Sequence, residues 1–337
     1  MNVFMGMKSV SRWLRWSCAF GLIPWGVLAA PALDANDTRA WLSRIHQAAS
    51  QNNFQGTFVV SGGGSVSSAR ISHFCEGSHQ YEHIESLDGQ ARHVFRHNSA
   101  VHTVWPQTKV AQVERREFDG TFPALLQVAD ARFADFYEVK RQSGDRVAGH
   151  ETDVLVLQPR DAYRFGYRLW AEKNSGLLLR ADVLGERNEV LETSVFSEVR
   201  IGIKAQADSV LRPMKRLDGY RVIRPSMVTT KLESEGWTLK QAVPGFQPVS
   251  CVKRPLEVQA DTPMTEVVQA IFSDGLTYVS VFIEPFQAAR HAQPMQTSLG
   301  ATQTLTRRQG EAWITVVGDV PSATLRAFSE GLDRVKR

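Results

Sequence analysis

The chain has 337 residues, of which 43% are hydrophobic and 22% charged, with three cysteines and a formal charge of +4. Such a composition is too apolar for a disordered chain, too long for one small domain and too poor in cysteine for a disulfide scaffold. At ~150 residues per domain, two domains are expected, each large enough to bury its own core.

The first residues read differently from the rest. Lys8, Arg12 and Arg15 precede residues 16–30, WSCAFGLIPWGVLAA, which carry no charge. A basic start, a short apolar stretch and a small-residue end describe a secretory signal peptide. Ala30-Pro31-Ala32 places cleavage after Ala32, with Ala30 as the second choice. The run is short for the ~20 residues of a membrane span, and Pro24 interrupts it. Cys18 follows Arg15-Trp16-Ser17, not the small apolar residues of a lipoprotein signal. Residues 1–32 are therefore expected to be removed on export. Their loss takes away three basic residues and no acid, leaving 36 basic against 35 acidic residues. The basic excess belongs largely to the leader, and with it goes the support for a nucleic-acid partner. Cys75 and Cys251 remain, and in an oxidising compartment they permit one disulfide.

After Asn36-Asp37-Thr38, a run of possible caps, Trp41, Ile45, Ala48 and Ala49 recur at helical spacing and predict a helix over 37–51. Gly56 to Val60 reads as a strand ended by Gly62-Gly63-Gly64. Ala69 to Phe74 and Tyr81 to Leu87 follow as strands. Asp88-Gly89 signals a two-residue hairpin, which would pair Glu85 with Arg92 and Tyr81 with Arg96. Val101 to Trp105 is a further strand, and Pro123 to Phe133 a short helix. Val154 to Leu157 is a buried strand. Tyr163, Phe165, Tyr167 and Leu169 then alternate with Arg164, Gly166, Arg168 and Trp170, predicting a strand with one apolar face. Strands at 177–184 and 190–199 complete an antiparallel meander. Strand and helix do not alternate, which excludes a Rossmann-type sheet. Residues 204–235, basic and broken by Pro213 and Pro225, read as a connection between domains. Beyond it, Thr265 to Phe272 is expected as a helix, Leu276 to Glu284 and Trp313 to Val320 as strands. Leu325, Phe328, Leu332 and Val335 define a closing amphipathic helix. The expected class is α+β, with an N-terminal domain over 33–203, a linker over 204–235 and a smaller domain over 236–337.

Six of the nine histidines lie between His73 and His102. His79/His83 and His93/His97 would converge on a helix, but the local pattern is strand, where i and i+4 stand about 13 Å apart. The Asp88-Gly89 register also leaves His83 opposite Val94, so the histidines read as exposed strand residues with no metal site, leaving a weak pH response as their remaining role. No H-E-x-x-H or G-x-S-x-G occurs, and Gly62-Gly63-Gly64-Ser65 lacks the lysine of a phosphate loop. Neither an enzyme nor a cofactor is expected. The aromatic face fits either plain core or a hydrophobic cleft for an acyl chain. On the cleft reading, Trp41, Phe58, Phe95, Trp105, Tyr163, Phe165, Tyr167 and Leu169 are the lipid-binding residues.

Four segments resemble the RseB/MucB family of envelope-stress sigma-factor regulators. Phe272-Ser273-Asp274-Gly275-Leu276 precedes Val279-Ser280-Val281, and Ile314-Thr315-Val316-Val317-Gly318-Asp319-Val320-Pro321 precedes the last helix. Leu87-Asp88-Gly89 is followed by Arg92, and Asn53-Phe54-Gln55-Gly56-Thr57-Phe58 follows the first helix. Asp319 stands where the family commonly has Glu. The resemblance implies an N-terminal half-open antiparallel β-barrel covered by helices, like the lipoprotein carriers, with a smaller C-terminal domain packed against it. It implies a periplasmic protein that binds the periplasmic segment of a single-pass anti-sigma factor and shields it from site-one proteolysis. Lipopolysaccharide or mislocalised lipoprotein acyl chains would release that segment. The cleft would be the lipid sensor, with a lipid or lipoprotein carrier as the alternative function and a homo-oligomer as a further possibility.

Overall fold

The computed structural model describes residues 33–116, 133–256, 265–291 and 293–335. The signal-peptide reading at 1–32 lies outside these residues, as does the helix expected over Pro123 to Phe133, apart from Phe133 itself. Helix α1 (Ala35–Gln51) opens on Asp34, whose carboxylate accepts the Asp37 N–H at 2.8 Å. That cap starts the helix two residues ahead of the expected position. Leu42, Ile45 and Ala48, spaced three apart, are buried.

Eleven strands and two helices follow in the N-terminal region among the described residues. They are β1 (Phe54–Gly62), β2 (Ser65–Glu76), β3 (His79–Ser86), β4 (His93–His97), β5 (Ala100–Trp105), β6 (Val110–Arg115), α2 (Phe133–Phe136), β7 (Tyr137–Val147), β8 (His150–Pro159), β9 (Gly166–Glu172), β10 (Leu178–Leu184), β11 (Val190–Ile201) and α3 (Ala207–Lys215). With β12 (Arg221–Ile223) they form one sheet in the order β12-β6-β5-β4-β3-β2-β1-β11-β10-β9-β8-β7. All neighbours are antiparallel except β12 and β6. The sheet is open, with β12 and β7 as its outer strands. Its main core gathers Phe54, Leu155, Leu157, Leu169, Leu177 and Phe196.

The C-terminal domain contains β13 (Val228–Thr229), β14 (Trp237–Leu239), β15 (Gln247–Leu256), β16 (Thr265–Ser273), β17 (Tyr278–Pro285), β18 (Met295–Leu299), β19 (Thr302–Gln309), β20 (Ala312–Gly318), α4 (Ser322–Gly331) and β21 (Leu332–Arg334). Seven of these strands make a second sheet, β13-β15-β16-β17-β20-β19-β18, and β14 pairs with β21. Phe272, Val279, Ile314, Val316, Leu325 and Phe328 fill its core.

Three segments depart from the expected elements. Thr265 to Phe272 is strand β16, not a helix, paired with β15 and β17 on its two sides. Val267, Val268, Ala270 and Phe272 are all buried, and a strand covered on both faces loses the alternation that would have announced it. Tyr163 to Trp170 is a strand only from Gly166. Asp161 accepts the Tyr163 N–H at 3.0 Å and pairs with Arg164, holding residues 161–164 in a turn. The two-residue hairpin at Asp88-Gly89 does not form. The Asp88 carboxylate is taken by the N–H and hydroxyl of Ser68 on β2, so the β3–β4 loop opens to residues 87–92. The register moves by one, to Glu85↔His93 and Tyr81↔His97. A one-residue slip turns every side chain of β4 to the opposite face relative to β3.

Residues 204–235 are more ordered than a linker. Helix α3 lies on β3 and β4, placing Val210 among Phe74, Tyr81, Phe95, Val104 and Ala111 in a third cluster. β12 then joins the sheet edge. The histidines are correspondingly less exposed than expected. His73 is 6% exposed, stacked on Phe54 at 5.2 Å. Its Nδ1 lies 3.3 Å from Glu82 and its Nε2 3.4 Å from Cys75 Sγ. Burial would lower its pKa, but the bonds with Cys75 and Glu82 outweigh this and raise it to about 9. Folded His73 thus holds its proton more tightly than the unfolded chain does. That contribution, roughly 3 kcal/mol, is complete below the unfolded pKa near 6.5 and is lost as pH rises through 9. Urea unfolding at pH 6 and pH 9 should show the loss, and His73→Gln should remove most of the difference. Equal wild-type stability at both pH values would refute the assignment.

Candidate functional site

The two domains are joined by a buried charge. Arg164, in the turn after β8, is 2% exposed. Its Nε donates to Asp274 Oδ2 at 2.8 Å, and the same guanidinium donates to Asp161 and to the Pro244 carbonyl. It lies over the rings of Phe136 at 4.2 Å and Phe246 at 5.2 Å. Asp274 sits in the Ser273-Asp274-Gly275-Leu276-Thr277 turn between β16 and β17. Its Oδ1 accepts the N–H groups of Leu276 at 3.0 Å and Thr277 at 2.9 Å, and Tyr137 donates to its Oδ2 at 3.5 Å. Burial pushes the Asp274 carboxyl up, against the opposing pull of those N–H donors and Arg164. Gly275 takes φ +95°, which a side chain would resist.

Around this pair the domains exchange side chains. Leu276 enters the N-terminal core, while Tyr163 packs against the C-terminal core. Thr324 on α4 donates to the Tyr163 carbonyl at 2.7 Å. The sequence offered half of this arrangement: Ser273-Asp274-Gly275 marks a turn, but nothing local marks Arg164 as its partner.

A groove of ≈ 1390 Å³ runs between the β6 edge and the β15–β16 side of the C-terminal sheet. Phe246, beside Arg164, lies on its floor, so the groove touches the interdomain pair. Arg115, Arg116, Arg224, Lys231 and Arg254 line it, against Glu114 and Glu233. Glu114 is already engaged by Arg116 at 2.6 Å, and the buried Nε of Arg254 has no hydrogen-bond partner among the described residues. The surface is a cationic trough with an apolar floor, suited to an extended acidic segment.

Of the eight aromatic and aliphatic residues expected to line one cleft, six are distributed over three clusters. Tyr167 and Leu169 are inside the main core, at 3% and 0% exposure, with Trp41 and Phe58 half-buried against it. Phe165 is buried outside those three clusters. Phe95 belongs to the cluster beneath α3, Trp105 is half-buried on β5, and Tyr163 lies against the other domain. The single continuous face fails because the chain turns at residues 161–164. Cys75 and Cys251 are both free thiols. Cys75 donates to the Ser50 carbonyl at the end of α1, whereas Cys251 lines the groove, where burial pushes its thiol up to about 11.

Residues 37–214 match the family described as MucB/RseB N-terminal domain, and residues 231–333 the MucB/RseB C-terminal domain. The Pseudomonas aeruginosa protein named sigma factor AlgU regulatory protein MucB is 29% identical, over 88% of this chain and 91% of its own length. The Escherichia coli K12 protein named sigma-E factor regulatory protein RseB is 22% identical, over 87% and 89%. A structure of the Pseudomonas aeruginosa MucA/MucB complex aligns at a TM-score of 0.67 and 26% identity, covering 89% of this chain and all of the other. Family matches to both halves, in the observed domain order, establish that the chain belongs to the MucB/RseB family of sigma-factor regulators.

Proposed function

We propose that the protein is a periplasmic regulator that binds the periplasmic segment of a membrane-bound anti-sigma factor and shields it from site-one proteolysis. The observation that carries this reading is the cationic groove between the domains, in a chain whose relative forms a complex with MucA. An extended segment laid along β6 and β15 would be covered by both domains and withheld from a protease. Lipopolysaccharide or mislocalised lipoprotein would release it by favouring a domain arrangement in which the groove binds less well. Such coupling is reciprocal: the bound segment must weaken lipid binding by the same factor. Half-buried Trp41 and Phe58, which pack against the rim of the main core, are the residues through which an acyl chain would meet the N-terminal domain. The basic start and uncharged apolar run within residues 1–32 support export to the periplasm.

Purified protein should bind the anti-sigma periplasmic segment and slow its cleavage by the site-one protease. Arg115→Glu with Arg116→Glu should weaken that protection at least tenfold. Cleavage at the unprotected rate with saturating protein would sink the reading. Transfer of lipoprotein to acceptor membranes would instead favour a carrier.

A further inference from the structure

The register of β3 against β4 has a chemical consequence. With Glu85 opposite His93 and Tyr81 opposite His97, the odd-numbered residues of both strands share one face. His83 and His93 then meet diagonally, Nε2 to Nδ1, at 3.1 Å. His97 and His79 meet in the same diagonal sense, Nε2 to Nδ1, at 3.2 Å. The two pairs stand four residues apart along each strand, about 13 Å. Between them, His83 stacks on Phe95 at 4.4 Å and His97 on Tyr81 at 4.8 Å, and these rings belong to the cluster beneath α3. One imidazole of each pair, His83 or His97, is therefore held against a buried aromatic ring.

We propose that His83/His93 and His79/His97 are two bis-imidazole sites for a borderline divalent transition metal, copper(II) foremost. Two nitrogens 3.1–3.2 Å apart, each 2.0–2.1 Å from a shared ion, subtend about 100° at the metal, the angle of adjacent ligands. Imidazole suits copper and zinc, and copper(II) binds such donors most tightly in the divalent series. No redox step and no net proton release is required. In each pair the ring that donates its N–H changes tautomer, placing that proton on its opposite nitrogen, and both facing lone pairs turn to the ion. Arg70 would repel a cation, but Glu85 neutralises it at 2.8 Å. Among the described residues no group of three or more His, Cys, Asp or Glu could hold a metal. Each pair therefore offers two ligands and leaves the remaining positions to water, which suits an exchangeable ion rather than a structural one. His79 is exposed and the other three rings are half-buried, so an ion can enter from solvent.

Copper(II) titration of the purified protein, followed by calorimetry and electron paramagnetic resonance, should give two equivalents with nitrogen-rich spectra. His83→Gln with His93→Gln should remove one equivalent, and His79→Gln with His97→Gln the other. A quadruple variant that keeps both equivalents at unchanged affinity overturns the proposal. Because Tyr81 and Phe95 are core residues, the variants need a fold control, and the wild type supplies an independent test. In spectra of protein labelled with 15N-histidine, sub-stoichiometric copper should broaden four ring signals before those of His73, His102 and His150. Broadening that begins at those three, or uniformly, overturns it equally.

Discussion

Arg164→Ala is expected to destabilise the protein by about 3–5 kcal/mol, as breaking one partner of a buried ion pair does. The guanidinium side chain is fully covered, and its removal strands Asp274, also fully covered, beside only two backbone donors and the Tyr137 hydroxyl. Asp274→Asn should cost less, because the amide oxygen can still accept from Leu276 and Thr277. The informative variant is the double replacement Arg164→Met with Asp274→Leu. Replacing both charges spares their desolvation but orphans the Leu276 and Thr277 N–H groups, so the double variant should recover only part of the Arg164→Ala loss. Equilibrium urea unfolding of the three variants decides the matter. An Arg164→Ala loss below 1 kcal/mol would mean that water reaches the pair and that it does not lock the domains. The site also shows why Gly245 is glycine. At φ +81° a side chain there would be strained, and its Cβ would run into the Arg164 guanidinium and meet the Phe136 ring at 2.9 Å. Since Phe246 belongs to both this cluster and the groove floor, loosening Arg164 should also change the width of the groove.

The meander over residues 150–201 was readable because its strands alternate or run apolar between clear turns, as at Asn174-Ser175-Gly176. Helix α1 was readable because one face of a 3.6-residue repeat is apolar. What failed had a non-local cause each time. Strand β16 became indistinguishable from a helix because apolar residues stand on both its faces, Val267 and Ile271 on one and Val268, Ala270 and Phe272 on the other. The Asp88-Gly89 turn lost to a bond from Ser68, twenty residues away, and that one competitor decided which face the histidines occupy. Arg164 looked like the polar position of an alternating strand, and only Asp274, 110 residues later, makes it the centre of the domain junction. Local periodicity predicts elements; the site depends on contacts between elements, which a single sequence does not display.

Tyr167→Asp is expected to unfold the N-terminal domain rather than to impair a lipid response. Tyr167 is 3% exposed in the main core, and burial first, then the nearby Asp319 and Asp274, push its phenol well above its ordinary value. Truncating a buried aromatic costs roughly 3–5 kcal/mol, and an unpaired carboxylate left there adds a desolvation penalty. Against a total stability of about 5–15 kcal/mol, the cooperative thermal transition should be lost or lowered by tens of degrees. Trp41→Asp gives the contrast. Trp41 is half-buried on α1, at the rim of the same core, and a carboxylate there can reach water. That variant should keep a cooperative transition and bind lipopolysaccharide or lipoprotein acyl chains less well. A stable Tyr167→Asp protein with weakened lipid binding would place the acyl chain inside the sheet, between Tyr167 and Leu169. An unfolded one, beside a folded Trp41→Asp protein deaf to lipid, would place the sensor at the α1 rim, above a core that remains closed.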